Sequence, residues 1–204
     1  MDGFEKRRES KKEDILSSAL ELFKEYGYNK VSIVEIAKRA SVSQVSIYNF
    51  FESKENLKQE LLKKLMNDHF VETINIFESP DSIKIKIEKF LLTRIHFFKS
   101  FSSHFLIESI DRKMITKENG MYIPKEYVED EVYKEFIKGF QNIFEEGKKE
   151  GVFPSSVSIE AIMNYMEILQ YYFINNPSII EEFDSNPLLA KEIFSLFFYG
   201  LMER

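Results

Sequence analysis

The chain of 204 residues is 44% hydrophobic and 30% charged and contains no cysteine, an ordinary globular balance that excludes disulfides and thiolate metal sites. Its length holds one domain or two, each large enough to bury a core. The formal net charge of −6 is unevenly spread: residues 1–66 carry 13 basic and 11 acidic side chains, net +2, and the remainder 15 and 23, net −8.

A basic head on an acidic body is the outcome of that asymmetry. The opening residues, MDGFEKRRESKK, have no apolar run behind their basic cluster, so no secretion signal is expected. Apolar stretches such as YYFI at 171–174 are too short to cross a bilayer, and the expected location is the cytoplasm, away from membranes. Lys6, Arg7, Arg8, Lys11 and Lys12 read equally as a solvated, frayed end and as a contact for DNA.

Ile15, Ala19, Leu22, Phe23 and Tyr26 form one helical stripe and predict a first helix that Gly27 ends as a C-cap. Ser32 and Glu35 make a capping box that opens a short helix with Ile33, Ile36 and Ala37 inward. Val42 falls in a tight connection, and Ser43 is the N-cap of another short helix. Ser53 caps a fourth, longer helix along which Leu57, Leu61, Leu65 and His69 line up. Beyond ESPDS at 78–82, punctuation by Pro, Gly and Asn predicts helices over 82–102, 104–115, 125–150, 157–174 and 187–203. Of the 20 Phe and 10 Tyr, 16 and 7 lie beyond residue 66, which marks this part as an aromatic-rich helical body.

The helix after Ser43 is too short to be stable alone and must borrow order from its neighbours. Ile47 with Phe50 or Phe51 packs inward, whereas Gln44, Val45, Ser46 and Asn49 face out. A short helix, a tight turn and a second short helix on a supporting helix make the helix-turn-helix geometry of DNA readers.

The run Ser32-Ile-Val-Glu-Ile36-Ala37-Lys-Arg-Ala40-Ser41-Val42-Ser43, followed by Ile47-Tyr48-Asn49-Phe50-Phe51 and Ser53-Lys54-Glu55-x-Leu57, resembles the DNA-binding segment of the TetR family of transcriptional regulators. The family pattern is T-x-x-x-I-A-x-x-A-G-V-S-x-G-x-L-Y-x-Y-F-x-S-K-E-x-L, and the resemblance covers about residues 11–65. Two positions depart from it. Ser41 stands where a turn glycine is usual, which costs little if the backbone there avoids positive φ. Val45 replaces a small Gly, where it either holds the helix off the phosphates or meets a thymine methyl.

The resemblance implies an all-α fold, with an N-terminal three-helix helix-turn-helix domain over 1–53 and a C-terminal effector-binding and dimerisation domain over 54–204, residues 54–77 being the connecting helix. Ser32 sits at a helix N-terminus, where free N–H groups favour a phosphate. Ser43 shares that capping geometry. Tyr48 and Lys54 match family positions that touch the DNA backbone, the tyrosine by its hydroxyl and the lysine by its charge. Gln44, Val45, Ser46 and Asn49 are the candidates for base edges, since Gln and Asn can pair bidentately with adenine. The implied partner is pseudo-palindromic double-stranded DNA, read by two heads about 34 Å apart.

In the body, Ile159, Ile162, Met163, Met166, Leu169, Gln170 and Phe173 make one broad apolar surface, and Leu188, Leu189, Ile193, Leu196, Phe197 and Leu201 another. Helices apolar on more than one face are buried on two sides, which favours a homodimer over core burial alone. Phe97, Phe101, Phe105, Tyr127, Tyr165 and Tyr172 line a pocket for an apolar or aromatic small-molecule effector or fill a solid core. His104, Glu108 and Asp111 share a helical face, but such stripes are more often surface hydrogen bonding than a metal site, so no metal or cofactor is expected. Neither a Gly-rich phosphate loop, a nucleophile elbow nor a paired-histidine motif is present, which argues against an enzyme. The expected function is an effector-released repressor; the rival of a different class is an architectural or cell-division DNA-binding protein with no effector.

Overall fold

The computed structural model describes residues 3–101, 116–118, 121–123 and 127–200. In chain order the elements are α1 (Gly3–Tyr26), a 3₁₀ turn (Tyr28–Lys30), α2 (Ile33–Arg39), α3 (Gln44–Phe51), α4 (Lys54–Glu78), α5 (Ile83–Phe101), β1 (Thr116–Glu118), β2 (Met121–Ile123), α6 (Asp130–Lys149), α7 (Ile159–Asn175), α8 (Pro177–Ser185) and α9 (Pro187–Tyr199). The protein is all-α apart from one antiparallel strand pair among the described residues, in which Thr116 faces Ile123 and Glu118 faces Met121. The helix expected over 104–115 falls outside the described residues. Helix α8 was not expected: Asn176 and Pro177 look like breakers, yet proline at the first helical position has no N–H to lose.

Two compact units divide the chain between Leu65 and Met66, so the first half of α4 belongs with the N-terminal unit. In the first unit, Ile15, Ala19 and Phe23 of α1 are fully buried with Ile36 of α2, Ile47 of α3 and Leu57 of α4. Tyr26 departs from expectation. It continues the stripe of α1 but lies in its last turn and is 50% exposed, while Tyr28 packs its ring edge-on against Phe23 at 5.2 Å. Gly27, at φ +82, makes the break between them.

The capping box of α2 forms as expected, with the Glu35 N–H donating to Ser32 Oγ and the Ser32 N–H donating to the Glu35 carboxylate. At the other end of α2 the expectation for Ser41 fails: its φ is +54, in the left-handed region. The Ser41 N–H bonds to the Lys38 carbonyl and the Val42 N–H to the Ala37 carbonyl, the paired bonds of a Schellman cap that requires that conformation. A serine therefore occupies a position suited to glycine. Glu52, at φ +62, makes the next sharp bend, where the Ser53 N–H reaches the Phe51 carbonyl and lets α4 start directly after α3.

The second unit is built on phenylalanines. Phe70, Phe77, Phe90, Phe136, Phe140, Phe144 and Phe153 are all buried. Their rings form a continuous chain, from Phe70 against Phe136 at 4.6 Å to Phe144 stacked on Phe153 at 4.4 Å. Gly147 makes the last contact possible, because a Cβ there would lie 2.4 Å from the Phe153 ring. Gly151, at φ +70, closes α6.

Candidate nucleic-acid interface

Helix α3 has eight residues, a length of about 12 Å that matches the width of a major groove. Ser43 caps it, accepting the Ser46 N–H at 3.1 Å, and its hydroxyl lies 2.9 Å from the Ser46 hydroxyl. Ile47 and Phe51, four residues apart, are 0% and 2% exposed and fix the helix to its support. On the opposite side Gln44 with Tyr48, and Val45 with Asn49, form two adjacent rows that face solvent. Val45 is 66% and Tyr48 48% exposed, so an apolar and an aromatic side chain are held in water beside two amides. Ser46 is half-buried at the edge of this face. Of Phe50 and Phe51, the second is core, and the first is half-buried with the Arg8 guanidinium 5.6 Å from its ring centre.

Ser32 is exposed at the start of α2, where its N–H and hydroxyl both bond to the Glu35 carboxylate at 2.7 Å. Those bonds, the hydroxyl first, hold the Glu35 carboxyl below the usual carboxylate range. Lys54 turns partly inward: its ammonium donates to the Tyr28 carbonyl at 2.6 Å and lies 4.1 Å from the Tyr28 ring centre. Burial lowers its pKa. The Tyr28 hydroxyl donates to Glu55 at 2.8 Å, and Lys58 covers the ring at 4.6 Å while pairing with Glu55. Burial and the bonded carboxylate together push the Tyr28 hydroxyl pKa up. This cluster ties the turn after α1 to the start of α4. Tyr28 was missed at the sequence level, since its partners on α4 are 26 or more residues away.

A short capped helix, anchored on one side and presenting amides, a hydroxyl and a methyl-bearing side chain on the other, is shaped to read base edges. The family model for bacterial regulatory proteins of the tetR family matches residues 15–61, a span that holds the α2–turn–α3 unit entire. The chain belongs to the TetR family. It is a DNA-binding transcriptional regulator and not an enzyme. The repressor KstR2 of Rhodococcus jostii (strain RHA1) is 24% identical over 160 residues, which cover 78% of this chain and 76% of that protein. YuxN, an HTH-type regulator of Bacillus subtilis (strain 168), is 36% identical over 75 residues, 37% of this chain and 26% of its own. The crystal structure of FadR from Bacillus subtilis in complex with stearoyl-CoA shares the fold, with a TM-score of 0.60 and 18% identity over 92% of this chain and 98% of that one.

The described body residues of this TetR-family chain differ in exposure. Tyr127 is 2% exposed and packed into the core, whereas Tyr165 and Tyr172 on α7 are 40% and 49% exposed. Phe97 is half-buried and stacked on His69, with ring centres 3.8 Å apart. Phe105 and the Phe101 side chain lie outside the described residues, as do His104, Glu108 and Asp111. Among the described residues no group of three or more metal-ligating side chains occurs, and no helix is long and apolar enough to cross a membrane. His69 is buried and held neutral, its pKa lowered to about 3 by desolvation and then by the nearby Arg94. The Arg94 guanidinium is itself lowered to about 10 by burial.

Proposed function

We propose that this protein is a repressor that binds a pseudo-palindromic operator as a homodimer and leaves it when a largely apolar small molecule enters the second unit. The observation that carries the reading is the two-row face of α3, with Gln44, Val45, Tyr48 and Asn49 in solvent and Ile47 and Phe51 fully anchored behind them. In this reading Gln44, Val45, Ser46 and Asn49 meet base edges, and Ser32, Ser43, Tyr48 and Lys54 hold phosphates.

Dimerisation is supported by exposed apolar groups of the second unit. Tyr165, Ile168 and Tyr172 lie on one face of α7 with Ile168 63% exposed, and Leu188 and Leu196 of α9 are 62% and 72% exposed. Side chains of this size left in water favour burial against a copy of themselves. The aromatic character of the body supports an apolar effector, and the fold shared with a regulator crystallised with stearoyl-CoA is compatible with one. Such a ligand acts only through its different affinities for the DNA-bound and released conformations. Relatives named as a repressor and a regulator favour this over an architectural role.

Selection of duplexes from a random pool, followed by anisotropy titration, tests the head. Gln44→Ala and Asn49→Ala should each cost about 1–3 kcal/mol on the selected duplex and little on a scrambled one. Equal losses on both duplexes would remove the base-reading assignment. Long-chain acyl-CoA, tested against a polar metabolite of similar charge, should release the selected duplex selectively.

A further inference from the structure

The first three turns of α1, from Gly3 to Asp14, contain no buried residue, and Ile15 is the first to reach the core. That segment is about 18 Å long and touches the rest of its unit through charged side chains. A helix polar all round needs favourable side-chain pairs or a partner to persist. Here the pairs one turn apart are like-charged: Glu5 with Glu9, Glu9 with Glu13, Arg7 with Lys11 and Arg8 with Lys12. Each costs a few tenths of a kcal/mol, partly offset by the three-residue pairs Glu5–Arg8, Lys6–Glu9, Glu9–Lys12 and Lys11–Asp14.

Most of the charges are also sorted by side. Helical spacing puts Arg7, Arg8 and Lys11 on one flank with Phe4, and Glu5, Glu9 and Glu13 on the other, while Lys6 lies at the edge of the acidic flank and Asp14 at the edge of the basic one. The acidic flank is engaged inside the unit, where Glu13 pairs with Lys64 of α4 at 3.2 Å. Lys12, between the flanks, pairs with Glu60 of α4 at 3.1 Å. The basic flank runs instead to the reading helix, since Arg8 sits over the ring of Phe50, next to Asn49. Such a stripe is poorly suited to an isolated helix and well suited to one lying along a polyanion.

We infer that Arg7, Arg8 and Lys11 form a second DNA contact, a sequence-independent clamp on the phosphate backbone flanking the half-site read by α3. The inference rests on the DNA-binding reading above and adds residues outside the helix-turn-helix to it. Phosphate clamping of this kind releases counterions, so it is visible in salt dependence.

The test compares the full-length protein with an Arg7→Ala/Arg8→Ala/Lys11→Ala variant on a duplex selected by the wild type and on a scrambled duplex. A Lys134→Ala/Lys138→Ala/Lys149→Ala variant makes the same charge change on α6. All three α1 positions are exposed, and circular dichroism confirms that the fold is retained. The clamp predicts a salt slope shallower by about 2–3 for each protomer and an affinity loss of tenfold or more, equal on both duplexes. The α6 variant should match the wild type, and Arg7→Lys/Arg8→Lys/Lys11→Arg should restore the slope. An unchanged slope in the α1 variant, or an equal change in the α6 variant, overturns the clamp while leaving the regulator reading intact. A wild type that binds no duplex in a salt-dependent way overturns both.

Discussion

The Glu35 carboxylate accepts hydrogen bonds from both the backbone N–H and the hydroxyl of Ser32, each at 2.7 Å. The donors that would hold a DNA phosphate are thus occupied in the free protein by the protein's own anion. Folding and DNA binding compete for them.

Glu35→Gln should therefore weaken the cap and strengthen DNA binding. Removing a negative charge near an exposed phosphate is worth about a fivefold gain in affinity at low salt, shrinking as salt rises. The pH dependence follows from the lowered carboxyl pKa. The cap's contribution is complete above the unfolded-state value and is lost as pH falls through the lower folded-state value. Anisotropy titrations and acid unfolding of the two proteins check both halves, and a variant binding DNA more weakly would show that Glu35 assists the contact.

Ser41 offers a stability gain without a change in function. Its φ of +54 carries the left-handed strain of a residue with a Cβ, and the Schellman bonds around it leave no other conformation. Ser41→Gly removes that strain but adds freedom to the unfolded chain. The balance should be a gain of about 0.5–1 kcal/mol in urea denaturation, with DNA affinity unchanged. Ser41→Val, β-branched at the same φ, should lose more than that.

The reading head was legible in the sequence because its signals are local. Ser32, Glu35, Ser43 and Ser53 act on groups within three residues of themselves, and helical spacing puts Ile47 inward with Phe50 or Phe51, of which the structure buries Phe51. The inward turn of Lys54 was not legible, because the Tyr28 carbonyl it meets is 26 positions away. Glycines show the same limit. Gly151 ends α6 as its position suggested, but Gly147 serves as a gap for the Phe153 ring, a packing fact no local pattern carries. Only the glycine usual at position 41 in the resembling family hints at the φ that Ser41 adopts, and the outward aromatics Tyr165 and Tyr172 look the same on paper as the buried Tyr127.

His69 makes the second unit acid-sensitive. Its folded-state pKa of about 3 lies below the ordinary 6.5, so between those values the unfolded chain binds a proton that the folded one refuses. Stability therefore falls as pH drops below about 6.5, by at most about 1.4 kcal/mol per unit from this residue. His69→Phe keeps an aromatic ring to stack on Phe97 and removes the proton site. The difference in unfolding free energy between the two proteins should change by that slope between pH 6 and pH 5. A constant difference would place His69 in contact with solvent.

Lys54 separates a structural role from a DNA contact. Its ammonium stabilises the turn after α1 through the Tyr28 carbonyl and ring, and its first-turn position on α4 puts it one residue from the cap Ser53. Lys54→Met keeps most of the stem and removes the charge, so a purely structural lysine would cost about 1–2 kcal/mol of stability and leave DNA binding alone once the protein is folded. A lysine that also exchanges the Tyr28 carbonyl for a phosphate would in addition make the salt slope shallower by about 1 per protomer, by the same amount on selected and scrambled duplexes. The second outcome is the one expected, because Lys54 is only half-buried and the Tyr28 carbonyl takes one of the three donors of its ammonium. A slope identical to that of the wild type would confine Lys54 to the fold.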